Sequence, residues 1–191
     1  MAGSWGTALH GALLLARGRA EGLQLIAAPP EDEMTVAARS FWAAVLCLPA
    51  FLCLHLLDWA QGRVPMPDQP GQALVLDLLG YVVGWVGFAL LSHVMAASLG
   101  RDHRWPIFIT AWNWCNVVQY LILTGAIVPE LLHVPPLVAQ TLWLAAMGWA
   151  LWLEWYATRL SLAVPGFTAA LLVATDFTLG LFLLGFTESI R

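Results

Sequence analysis

Asp176 stands in the run "LLVATDFTLGLFLLG", residues 171–185, which holds no other charged residue. A charged group at mid-bilayer costs about 2.5–3.5 kcal/mol on insertion scales, so a carboxyl in such a segment needs a partner. Three amides can supply one: Asn113, Asn116 and Gln119, in "WNWCNVVQY", residues 112–120. Asn113 and Asn116 are neighbours on one helical face at i and i+3, and Gln119 follows one turn on. Such a cluster can act as a proton or ion relay, or as a substrate site inside a helical bundle. The same groups can equally be interhelical hydrogen bonds that pin two helices, worth roughly 0.6–2 kcal/mol per contact. The sequence therefore predicts an intramembrane cluster of Asp176, Asn113, Asn116 and Gln119, with Asp176 a neutral acid bonded to one of the amides.

Other polar groups form weaker sets. His93 and Glu154 are expected close to Arg101, Arg104 and Arg159, with Glu154 paired to Arg159 or to a loop arginine. His55, Asp58, Asp77, Glu130 and His133 gather near the opposite membrane interface, as ordinary headgroup-region residues. The cysteines, Cys47, Cys53 and Cys115, lie in apolar stretches without CxxC spacing, which points to packing and not to a disulfide framework or a zinc site. A nucleophile elbow, a phosphate-binding glycine loop and HExxH are absent from the sequence, so no enzyme, cofactor or metal is expected.

The elements that must position these groups are membrane helices. The chain is 60% hydrophobic and only 10% charged, whereas a soluble domain carries about 25% charged residues to wet its surface. About 20 apolar residues cross a bilayer, and five segments qualify: 40–60, 74–98, 105–128, 136–157 and 166–187. Trp105-Pro106 opens the third with a favourable helix start. Pro49 should kink the first by removing a backbone donor. The fold class expected is all-α: a five-helix transmembrane bundle, residues 39–188, preceded by a cytoplasmic N-terminal segment, residues 1–38.

In that N-terminal segment, residues 4–26 are too polar to span. Trp5, Leu9, Ala12, Leu13, Ala16, Ala20 and Leu23 share one helical face, while His10, Arg17, Glu21 and Gln24 occupy the other. This predicts one amphipathic helix lying on the membrane, from which "PPEDEMT" leads into the first span. In span two, Gly80, Gly84 and Gly87 form a small-residue stripe that lets another helix approach closely. Of the eleven tryptophans, most mark interfaces, while Trp112, Trp114 and Trp149 lie deeper.

All eight basic residues are arginine, which fits a GC-rich bacterial genome, and no basic cluster exists that could bind nucleic acid. Arg17, Arg19, Arg39, Arg101, Arg104 and Arg159 fall on one side of the five spans, and Arg63 and Arg191 on the other. The positive-inside rule then predicts a bacterial inner-membrane protein with its N-terminus in the cytoplasm and its C-terminus in the periplasm.

A short amphipathic segment, then "RSFWAAVLCLPAFL", "FALLSHVMAASLGRDHRWPIFITAWNW" and "WALWLEWYATRLSLAVPGFTAALLVATDF", gives an order of elements that resembles the bacterial branch of the Yip-domain family of five-helix membrane proteins. The resemblance covers roughly residues 5 to 187. It implies a five-helix fold and carries no catalytic residue. Eukaryotic relatives are associated with membrane trafficking. The expected function is a non-enzymatic scaffold, accessory subunit or assembly partner, touching lipid and another membrane protein or a second copy of itself. The alternative is a small transporter or ion-coupled permease that uses the cluster around Asp176.

Overall fold

The computed structural model describes residues 2–27 and 32–190. Among these residues every regular element is helical. The elements are α1 (Ala2–Leu15), α2 (Glu21–Ala27), α3 (Glu33–Ser40), α4 (Trp42–Ala60), α5 (Pro70–Ser98), α6 (Trp105–Gly125), α7 (Val128–Leu131), α8 (Pro136–Leu162) and α9 (Gly166–Ser189). Five helical segments are long and apolar enough to cross a membrane: Glu33–Ala60, Pro70–Ser98, Asp102–Leu131, Pro136–Leu162 and Gly166–Ser189. The chain is a multi-pass helical membrane protein whose outer faces, carrying Val75, Leu90, Val94, Leu137 and Phe182, suit contact with lipid.

The helices start where their backbone chemistry dictates. Pro70, Pro106 and Pro136 occupy the first positions of α5, α6 and α8, where no intrahelical donor is lost. Asp32 caps α3 by accepting from the backbone N–H of Thr35 at 3.0 Å. The first span is interrupted at Phe41, and α4 continues through Pro49. At that break the Ser40 hydroxyl donates to the Ala37 carbonyl at 2.6 Å. A side-chain oxygen competing for a backbone acceptor in this way bends a helix.

Helix α6 is the centre of the bundle. It packs against α8 on one side and against α3 and α4 on the other, while α9 joins α5 to α8. Phe108, Ile109, Ala111, Trp112, Asn113, Trp114 and Cys115 are all buried, so α6 is enclosed around its whole circumference over two turns. That burial explains why its residues are apolar or amide on every face rather than on one stripe.

Two expectations about elements need correction. The N-terminal segment is not one helix. Ala16, Arg17 and Gly18 form a turn, with Gly18 at φ 75°, and α2 folds back on α1. The two helices meet at Gly11 and Gly22, where a Cβ on Gly11 would lie 2.6 Å from the Gly22 carbonyl oxygen. Of the apolar stripe, Ala12 and Ala16 are buried against the bundle, Leu9 and Leu23 are half-buried, and Trp5, Leu13 and Ala20 stay exposed, so protein covers part of it. Trp5 approaches Trp42 and Trp114 at 6.2 and 6.4 Å between rings. At the other end of α1, the Tyr156 hydroxyl donates to the Gly18 carbonyl at 2.9 Å. Thus α1 straps across α6 from the α4 side to the α8 side.

The second correction concerns span four. Helix α8 does not stop at 157 but runs to Leu162, ending at Ala163, which is left-handed at φ 50° before Val164-Pro165. Thr158 and Ser161 looked like linker residues because they are polar. Both are buried, and Ser161 returns its hydroxyl to the Ala157 carbonyl at 2.6 Å. The extension moves everything on α8 deeper below its end than the sequence boundaries imply.

Candidate functional site

Helices α6, α8 and α9 bring Trp112, Glu154 and Asp176 together. The Trp112 indole Nε1 donates to Asp176 Oδ2 at 3.0 Å. Glu154 faces Asp176, and the two carboxyl groups interact with each other as well as with the indole. Glu154 is only 8% exposed, and its Oε1 has no hydrogen-bond partner. Asp176 lies ten residues into α9 and Glu154 eight residues before the end of α8. At 1.5 Å per residue these are depths of about 15 Å and about 12 Å from the same end, close to the middle of a roughly 30 Å hydrocarbon layer.

Asp176 does not bond Asn113, Asn116 or Gln119, so the predicted cluster is corrected. Asn113, 0% exposed, donates to the Ser40 hydroxyl at 2.6 Å and ties α6 to the break between α3 and α4. Asn116 donates to the Trp112 carbonyl of its own helix at 2.9 Å. Gln119 donates to the Ala150 carbonyl of α8 at 2.7 Å. Rotation decides the partners: successive polar residues on α6 face different neighbours, because α6 is buried all round.

Glu154 was expected to pair with Arg159 or a loop arginine. It is buried against Asp176 instead, while the Arg159 guanidinium lies over the Trp155 ring, 5.6 Å from its centroid. Five residues advance a helix by about 140° beyond one full turn, so the two side chains leave α8 on different faces. Arg104 is likewise engaged, donating through Nε to the Ser161 carbonyl at 2.7 Å.

A cavity of about 300 Å³ reaches Asp176 from the opposite end of the bundle. Its walls come from α4, α5, α6 and α9, with Phe51, Tyr81, Trp85, Trp112 and Tyr120 supplying rings. Asn116 shares this cavity with Asp176, so one member of the predicted set stands beside it without bonding it. His55 and Asp77 line the outer part, Asp77 being 4% exposed. Asp58 and Glu130 remain at the surface, joined by Arg63 at 2.8 Å to each. A second hollow of about 240 Å³ between α8 and α9 is lined by both Glu154 and Asp176.

Gly80, Gly84 and Gly87 do form a packing stripe, and its occupant is α9. A Cβ at these positions would stand 3.2 Å from Thr187 Cγ2, 3.4 Å from Leu183 Cδ1 and 3.6 Å from Leu179 Cδ2. Trp85 and Trp112 of the cavity wall belong to a larger group of packed rings. Phe88 lies 4.8 Å from Trp112 and 6.3 Å from Phe108, and Trp85 lies 4.9 Å from Trp112. Among the described residues no group of three His, Cys, Asp or Glu is placed to hold a metal ion.

The fold and the site together define a polytopic α-helical membrane protein with a carboxyl pair at mid-depth. No protein-family model, curated protein or solved structure matches the chain.

Proposed function

We propose that the chain is a small ion-coupled permease whose Glu154–Asp176 pair holds an exchangeable proton. The observation that carries this reading is the pair itself, at mid-depth, with its Asp176 member lining a cavity. Two facing carboxyls in a low-dielectric interior cannot both stay charged without a cation between them. Arg104 and Arg159, expected near Glu154, are engaged elsewhere. A proton or a bound cation must supply the charge, and that requirement is what couples one to the other. The scaffold reading drew on the glycine stripe, which packs on α9 within the chain and leaves no free small-residue face there.

Orientation belongs to the same proposal. The arginine bias puts the α3 and α6 starts toward the cytoplasm of a bacterial inner membrane, so the cavity opens outward. We also propose kinship with Yip-like membrane proteins, on the strength of an N-terminal helical segment followed by five spans. No catalytic role is assigned to any residue.

Proteoliposomes with a trapped pH-sensitive dye and an inside-acid gradient test the reading, with sodium, potassium or choline chloride added outside. A cation-driven collapse beyond that of protein-free vesicles, lost in Asp176→Asn, is the expected result. A gradient that responds identically in wild type and Asp176→Asn, or to no cation, would overturn it.

A further inference from the structure

We infer that the cavity between α4, α5, α6 and α9 binds a small monovalent organic cation with an apolar body, in exchange for the proton of the Glu154–Asp176 pair. The inference rests on the proposed proton-exchange role of that pair and names the class of substrate it would serve.

Three features of the cavity select this class. Its volume, about 300 Å³, is at the lower end of small-molecule sites, which run from about 300 to 1,000 Å³. Its wall is a continuous series of rings. His55 and Phe51 are 4.2 Å apart, Phe51 and Tyr81 4.6 Å, Tyr81 and Trp85 5.9 Å, and Trp85 and Trp112 4.9 Å. Aromatic faces attract a cation within about 6 Å, more strongly where water is excluded. Finally, carboxyl groups stand at both ends, Asp77 and Asp176, and no arginine lines the space. An anion would meet the Asp176 carboxyl, and a neutral ligand would leave the Glu154–Asp176 pair without a charge partner.

Glu154, beside Asp176, is more than nine-tenths buried and its Oε1 has no hydrogen-bond partner, an acceptor that a bound cation next to the pair would satisfy. The titratable groups facing the pair are Cys115 and Tyr120 of α6, with Tyr81 and Asp77 of α5 and His55 of α4 along the cavity. Tyr81, in the cavity wall, is fixed by donating its hydroxyl to the Ala44 carbonyl at 2.6 Å. The exchange balances simply. A cation enters, one O–H bond of the pair breaks, and the proton leaves to water while the electron pair stays on the carboxylate.

The test uses the purified full chain in detergent and benzyltrimethylammonium as probe, with neopentylbenzene as neutral isostere and benzenesulfonate as anion. Calorimetry gives affinity, quenching of tryptophan fluorescence reports occupancy, and a pH indicator in weak buffer counts protons. Expected are binding of the cation alone, release of roughly one proton per cation, and tighter binding as pH rises. Asp176→Asn should weaken binding at least roughly tenfold, as loss of a desolvated charge partner does. Should that variant not fold, as judged by gel filtration, Glu154→Gln serves in its place.

Equal binding of the neutral isostere, or affinity unchanged in the variants, overturns the inference. Cation binding without proton release keeps the cavity assignment and overturns the proton-exchange reading. A protonated-carboxyl infrared band that titrates in wild type and vanishes in Asp176→Asn, without cation binding, overturns the cavity assignment and leaves the pair intact.

Discussion

Trp112 and Asp176 are 64 residues apart in sequence and 3.0 Å apart between indole Nε1 and carboxyl Oδ2. This bond joins the enclosed helix α6 to α9, which is half-exposed along its length, and fixes where the Asp176 carboxyl points. Trp112→Phe keeps the ring but removes the donor. We expect it to lower stability by about 1–3 kcal/mol, as a buried acceptor losing its donor does, and to weaken any cation-driven flux. Thermal unfolding in detergent alongside the vesicle assay checks both effects. A variant as stable and as active as wild type would deny the bond its role.

Asn113 and Ser40 form a separate structural lock, bonded at 2.6 Å away from the cavity. Asn113→Ala and Ser40→Ala should each cost about 1–3 kcal/mol. Their double variant should fall short of the sum, because the two act through one bond. Cation binding, measured on folded protein, should be unaffected. A binding defect comparable to that of Asp176→Asn would show that the lock also shapes the site.

The α1–α2 hairpin depends on two glycines in backbone contact. Gly22→Ala should drive a methyl into the Gly11 carbonyl and open the hairpin, exposing the α2 backbone to protease. Gly148→Ala meets nothing within 4 Å, and it should be neutral or stabilise by roughly 0.5–1 kcal/mol through helix propensity. Limited proteolysis and thermal shift distinguish the two; equal behaviour would contradict the hairpin packing.

Asp32 gives a pH-dependent feature outside the spans. The Thr35 backbone N–H and, after it, the Thr35 hydroxyl hold its carboxyl below its usual range. A depressed carboxyl contributes stability that is present above its unfolded value and lost as pH falls through its folded one. Acid unfolding of α3 should therefore begin below about pH 4, and Asp32→Asn should flatten that limb. Circular dichroism against pH in detergent is the measurement, and an unchanged limb in Asp32→Asn would refute it.

The orientation has its own check. A C-terminal alkaline phosphatase fusion should be active, and Arg17→Cys in a background stripped of native cysteines should label with an impermeant thiol reagent from the cytoplasmic side only. The reverse pair of results would turn the bundle over and make the cavity open inward.

Residue by residue, the legible part was local. Five apolar runs, the Trp105-Pro106 start and the mid-depth position of Asp176 follow from length, composition and helical rise, which depend only on neighbours in the chain. The packing role of Gly80, Gly84 and Gly87 was legible too, but not that α9 fills the stripe. The partner of Asp176 was not legible. It depends on the rotation of α8 and α9 about their own axes, and on α8 continuing to Leu162, which carries Glu154 down to the level of Asp176. The break of the N-terminal segment at Gly18 was hidden for a similar reason. An apolar stripe looks the same whether lipid or protein covers it, and only the close approach of Gly11 to Gly22 and the burial of Ala12 and Ala16 show where the bundle covers it. Contacts between distant segments are set by the free energy of the whole packing, and no short window of sequence contains it.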